Sequence, residues 1–183
     1  MPKTFPGTTV ECSALTKGSS RVLFDGIFAT GGITLSQVCI MTGLEPYLIQ
    51  NWVKRGFLTS PVGRVYSREQ FARIIIINML RQALQIDRIC GLIKVISGNP
   101  DDRSDDLISD EELYHMYVDM LSDERMVIRD EQSVTGAAMR ATQNFAEPLP
   151  GARKKLCLIL AAMLYAHTSC QLAELSDKIL LTL

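Results

Sequence analysis

The sequence predicts a mainly α-helical protein, with a winged helix-turn-helix head followed by a small helical domain that ends in a long C-terminal helix. Three observations lead there. Between residues 34 and 97, apolar residues recur at helical intervals and are punctuated by Gly43, Gly56 and Gly63. The residues Thr34 with Gln37, Ser67 with Gln70, and Ser109 with Glu112 each stand as a capping pair before an apolar repeat. Arg153 to Leu181 then reads as one long apolar helix.

Taken in order, residues 1–32 are rich in Thr, Ser and Gly and form an arm whose apolar patch, Val22 to Phe28, predicts a short helix ending near Gly31. The head, residues 33–98, opens with a helix capped by Thr34 and stopped by Gly43, with Leu35, Val38 and Cys39 inward. Pro46 suits the first turn of a second helix, where a missing N–H costs nothing; that helix runs to Arg55 and buries Ile49, Trp52 and Val53. Phe57 to Tyr66 predicts two short strands around a turn, a wing whose only basic residue is Arg64. The next helix, Arg68 to Leu84, is apolar on most of its circumference and belongs at the centre of the core. Asp87 opens another, with Ile89, Leu92, Ile93 and Ile96 inward, and Gly98-Asn99-Pro100 stops it.

A domain boundary is expected at that stop. Residues 99–108 read as an acidic linker, and residues 109–183 as a helical domain suited to dimerisation or ligand sensing. It opens with an amphipathic helix through Leu113, Tyr117, Met120 and Leu121, and continues with a less regular one near 133–145. The last helix is expected to bend around Thr168 and Ser169. It carries more apolar surface than a small bundle hides, which points to a homodimer.

Charge is unevenly distributed although the net charge is only −1. Residues 34–94 hold eight basic and three acidic side chains, whereas residues 99–131 hold twelve acidic and three basic ones. This suits a polyanion-binding head on a body that keeps away from nucleic acid. The five cysteines are scattered without a C-x-x-C pair, so neither a disulfide frame nor a zinc finger is indicated. The longest apolar run, Leu156 to Ala166, falls short of the roughly 18 residues of a membrane span, and a cytoplasmic protein is expected.

His167 and Cys170 are too few to hold a metal, and His115 beside Glu111, Glu112 and Asp119 reads as part of a solvated helix face. With no phosphate-binding glycine loop, dinucleotide fingerprint or G-x-S-x-G elbow, neither an enzyme nor a cofactor is expected. The aromatic and methionine positions of the last domain read as core, and a small-molecule effector is left open.

The chemistry that points to function lies on the second helix of the head, whose outward face is Tyr47, Gln50, Asn51 and Lys54. Gln and Asn pair with adenine edges in a major groove, Lys reaches guanine or phosphate, and Tyr donates to phosphate. Arg55, Arg64 and Tyr66 are expected beside them on the DNA backbone.

On Thr34 to Gly43, Pro46, Ile49, Trp52, Arg55-Gly56, Arg64-Val65-Tyr66-Ser67 and the two following helices, residues 34–97 resemble the N-terminal DNA-binding domain of the MerR family of transcription regulators. The whole chain is also similar to an uncharacterised bacterial family with a MerR-like head. The resemblance implies that Gln50 and Asn51 stand where an Arg and a Tyr usually touch DNA, that Trp52 replaces the family's second aromatic, and that Arg64 and Tyr66 match its wing contacts. It also implies double-stranded DNA as partner. The chain departs from the family in lacking that Arg, in a shorter wing, and in having an acidic linker where a long dimerisation helix usually follows. The alternative is an adaptor whose helix-turn-helix docks a protein instead of DNA.

Overall fold

Residues 3–97, 106–123 and 128–182 are described by a computed structural model, and they are mainly helical. In chain order they form β1 (Lys3–Thr4), β2 (Glu11–Cys12), α1 (Ser19–Ile27), β3 (Ile33–Thr34), α2 (Leu35–Thr42), α3 (Pro46–Lys54) and β4 (Val65–Tyr66). The helices α4 (Arg68–Leu80), α5 (Ile86–Ser97), α6 (Asp110–Leu121), α7 (Glu131–Ala141) and α8 (Ala152–Leu180) follow. The strands form two antiparallel pairs, β1 with β2 and β3 with β4.

Local chemistry accounts for most helix ends. Thr34 accepts from the Gln37 N–H while the Gln37 side chain returns to Thr34, and Ser67 and Gln70 do the same at α4. Gly43 ends α2 in the left-handed region, at φ 69°. At α6 only half of the expected pair forms: Ser109 accepts from the Glu112 N–H, but the Glu112 carboxylate is drawn away to Arg21. The helix expected near 133–145 begins earlier, at Glu131, where Asp130 and Ser133 form a capping box that lies outside the S/T-x-x-E pattern. The helix α8 is continuous through Thr168 and Ser169, where Ser169 Oγ bonds back to the Ala166 carbonyl within the helix.

The helix α4 is the centre of the molecule. Ile74, Ile75, Ile76 and Ile77 are all fully enclosed, because α2, α5, α6 and α8 all pack on this helix. Each contributes roughly 1.5–3 kcal/mol of apolar transfer free energy. The arm lies against the same helix. Asn78 Nδ2 donates to the carbonyls of Gly7 and Thr42, each at 2.9 Å, tying arm and α2 to α4 at one point. Gly7 sits at φ 74° with its backbone against α4, and a Cβ there would stand 2.3 Å from the Ile75 carbonyl oxygen.

The boundary expected between 98 and 109 does not separate two bodies. One hydrophobic cluster runs from Phe5 and Phe24 through α4 to Tyr114, Tyr117 and the inner face of α8. Residues 98–105, which hold the Gly98-Asn99-Pro100 stop and most of the acidic linker expected over 99–108, lie outside the described residues. Among the described residues, α6 packs directly on α1 and α4. The physical reason is that α4 is apolar all round, and the head's remaining helices are too few to surround it.

The two charged segments also meet each other. Arg73 of α4 donates to Asp110 of α6 at 2.7 Å, and Arg68 donates to Glu111 at 2.8 Å and to Asp25 at 3.0 Å. Arg21 of α1 joins Glu112 and Asp119. Two basic residues of the head, Arg68 and Arg73, are therefore engaged in joining it to the acidic segment.

Candidate nucleic-acid interface

The helix α3 is set by Ile49 and Trp52, which enter the core and fix its rotation. Its last turn is fastened by the Phe57 N–H, which donates to the Trp52 carbonyl at 2.9 Å, and by Gly56 at φ 74°. This leaves Tyr47, Gln50, Asn51 and Lys54 at positions i, i+3, i+4 and i+7 on one exposed face, with Tyr47 65% exposed. Among the described residues, none of these four side chains is drawn into a hydrogen bond or ion pair. The face offers paired amide donors and acceptors with one ammonium group, and so carries more hydrogen-bonding capacity than charge.

The other expected contacts fare differently. Arg55 lies beside that face with its guanidinium 4.4 Å from the centre of the Phe57 ring and 3.6 Å from Asp87 Oδ1, so it is partly held within the protein. Arg64 is exposed at the tip of a tight turn. Its φ of 65°, with Gly63 at 58°, gives the doubly left-handed turn that closes the Val62–Val65 bridge. Tyr66 is a correction: it is 3% exposed and part of the core, with burial raising the pKa of its phenol. It packs where a phosphate contact was expected because alternation along β4 turns Val65 outward and Tyr66 inward.

The segment Phe57 to Tyr66 also differs from the two-stranded hairpin expected of it. Its strand, β4, pairs with β3 ahead of α2, Ile33 opposite Tyr66 and Thr34 opposite Val65. The loop before the turn is held to α4 by Gln70, whose Nε2 donates to the carbonyls of Thr59 and Ser60 while its Oε1 accepts from the Ser67 N–H. One glutamine thus caps α4 and positions the loop, a second role that the capping pattern did not reveal.

Residues 35–117 match a family described as a domain of unknown function (DUF1836). The matched span starts at the first residue of α2 and ends within α6, crossing the expected boundary just as the hydrophobic core does. The chain is also similar to an uncharacterized protein, YkrK, of Bacillus subtilis (strain 168), 36% identical over 81 residues. That match covers 42% of this chain and 35% of the relative, so it spans about a third of the relative's length. No solved structure matches.

The histidines fall outside this surface. His115, expected on a solvated face, is 2% exposed: its Nδ1 is 2.9 Å from Ser20 Oγ, its Nε2 is 3.3 Å from Glu111, and its ring meets Phe24 edge-on. Burial lowers its pKa more than Glu111 raises it. The charged residues around it in sequence hid the inward turn, which follows from the contact of α6 with α1. His167 Nδ1 lies 2.8 Å from the Tyr117 hydroxyl oxygen, and burial lowers the pKa of this ring too. Among the described residues no group of three or more metal-ligating side chains is found.

The outer face of α8 is a second exposed surface. Leu156, Leu160, Met163 and Leu164 face the core, while Leu158, Tyr165, Leu172, Leu175 and Ile179 stand outward. These outward positions follow seven-residue spacing with three-and-four steps, the period of a helix-pairing seam. By length and composition α8 also suffices to cross a membrane, with mean hydropathy 1.6 over an 18-residue window. Judging from the unbroken run Leu156 to Ala166 missed this, because the window continues through uncharged polar residues. Its N-terminal half is occupied in the core of the molecule.

Proposed function

We propose that this chain is a DNA-binding transcription regulator whose head is a MerR-like winged helix-turn-helix. The helix α3 enters the major groove, and the turn at Arg64 rests on the backbone. The observation that carries the reading is the exposed row Tyr47, Gln50, Asn51 and Lys54 on one side of a short helix whose other side, Ile49 and Trp52, locks it to the core. A rigidly held helix with amides outward is suited to reading base edges. The contact set is Tyr47, Gln50, Asn51, Lys54 and Arg64, with Arg55 able to join on leaving Asp87.

The regulator acts as a cytoplasmic homodimer through the outer seam of α8. Lys154 and Lys155 lie at one end of that helix and Glu174 and Asp177 towards the other, so two copies related by a two-fold axis and running antiparallel place unlike charges together. Binding, without catalysis, is the proposed activity.

A second reading, an adaptor that docks a protein on α3, is favoured by the engagement of Arg68 and Arg73 with α6, which leaves the head less basic than its sequence. Selection of bound fragments from bacterial genomic DNA, followed by footprinting, separates the two. The regulator protects a discrete site and loses it in the variant Lys54→Ala with Arg64→Ala. An unchanged footprint in that variant rejects the contact set, and absence of any retained fragment leaves the adaptor.

A further inference from the structure

A cavity of about 350 Å³ opens between the residues that follow α3, Arg55 to Phe57, and the helix α5, with Arg73 of α4 also in its wall. Phe57, Cys90 and Ile93 give it a mostly apolar lining, and Arg55 and Lys94 stand at its rim with Asp87. Its size lies in the range of sites for small molecules.

The charges around it do not balance. Arg73, which also lines the cavity, is already matched by Asp110 at 2.7 Å and by Ser97 Oγ at 2.8 Å. Arg55 and Lys94 then share Asp87, which reaches only Arg55, at 3.6 Å, and whose side chain is itself largely in solvent. Among the described residues Lys94 makes no ion pair. One positive charge is left over beside an apolar floor.

Gly91 supplies an independent observation. It lies inside α5, where a glycine costs about 1 kcal/mol relative to alanine. Its φ is not positive, and a Cβ built on it would meet nothing within 4 Å. Neither backbone conformation nor close packing asks for a glycine there. What its missing side chain does is leave one wall of the cavity open.

We propose that this cavity binds a small organic monoanion, a carboxylate on a compact aromatic or branched aliphatic body. The carboxylate sits between Lys94 and Arg55, and the body rests on Phe57, Cys90 and Ile93. A wholly polar anion such as inorganic phosphate would use the rim and leave the apolar floor wet, which disfavours it. The binding does not depend on the DNA reading, since the cavity is complete in the protein alone.

Benzoate and isovalerate are the probes, with benzamide as the neutral counterpart of benzoate, titrated into isotope-labelled full-length protein and followed by amide shifts. Saturable shifts are expected at Phe57, Cys90 and Gly91 for at least one of the two anions. Benzamide binds at least about tenfold more weakly than benzoate if benzoate is the ligand, and Lys94→Gln weakens the anion about tenfold. Gly91→Leu, which fills the cavity from an unobstructed helix position, abolishes binding while the melting temperature holds or rises. The proposal is overturned if neither anion gives saturable shifts up to about 10 mM. It is also overturned if benzamide binds as well as benzoate, or if Gly91→Leu leaves binding unchanged.

Discussion

Arg73 Nε lies 2.7 Å from Asp110 Oδ2, joining α4 to the first residue of α6 in a pair where the aspartate is 5% exposed. Glu69 completes this junction by accepting the Asp110 N–H at 3.0 Å, which caps α6 from another helix. Burial, and secondarily the nearby Asp110 charge, raise the Glu69 pKa. Arg73→Met removes the arginine counter-charge from an enclosed carboxylate. A loss of about 2–4 kcal/mol in urea unfolding is expected. The loss should appear in a single transition shared by α4 and α6, whereas two separate transitions would contradict the continuous core.

The two histidines contribute to the acid response of stability. Both are held below the ordinary imidazole pKa by burial, so the folded state resists a proton that the unfolded chain takes up readily. Their contribution is fully present above the unfolded value of about 6.5 and is lost as pH falls from there through the lower folded values. Denaturation at stepped pH checks this, and the variant His115→Gln with His167→Gln should be flatter between about pH 6.5 and 5.

Arg64 combines an expected contact with a strained backbone, at φ 65°. Arg64→Gly relieves that conformation and removes the cation. Thermal unfolding should show stability unchanged or raised by up to about 1 kcal/mol. DNA affinity should fall in the same variant, with a salt dependence shallower by about one unit per site occupied.

Much of this fold was legible locally. Thr34 with Gln37, Ser67 with Gln70, Pro46 and Gly43 act within a single turn of chain, so their sequence spacing specifies the structure they make. The pairings that join the helices were not legible, because Arg73 with Asp110 or Arg21 with Asp119 spans distances in sequence that no local pattern encodes. A signal existed in the opposite charges of residues 34–94 and 99–131. Beside the division of labour that this pattern suggests, part of it is attraction within one core, through Arg68 with Glu111 and Arg73 with Asp110. Tyr66 illustrates the same limit: strand alternation turns it inward once β3, distant in sequence, is known to be its partner.

The seam on α8 gives a prediction of its own. Leu172, Leu175 and Ile179 are 61%, 55% and 64% exposed on one side of the helix. Leu172→Glu with Leu175→Glu should convert a dimer to a monomer in sedimentation equilibrium, with the fold intact because neither side chain reaches the core. A wild-type monomer at tens of micromolar, or a dimer surviving in the variant, would reject the seam as the interface.

The central claim is that α3 and the Arg64 turn bind DNA, and its most direct test is the affinity of the full-length protein for a footprinted fragment across a range of salt. With Lys54 and Arg64 of both copies on phosphates, log K should fall against log salt with a slope of about −3 to −4. Asn51→Ala should weaken the site by about 1–3 kcal/mol without changing that slope. Absence of binding at low salt, or a slope near zero, would contradict the account.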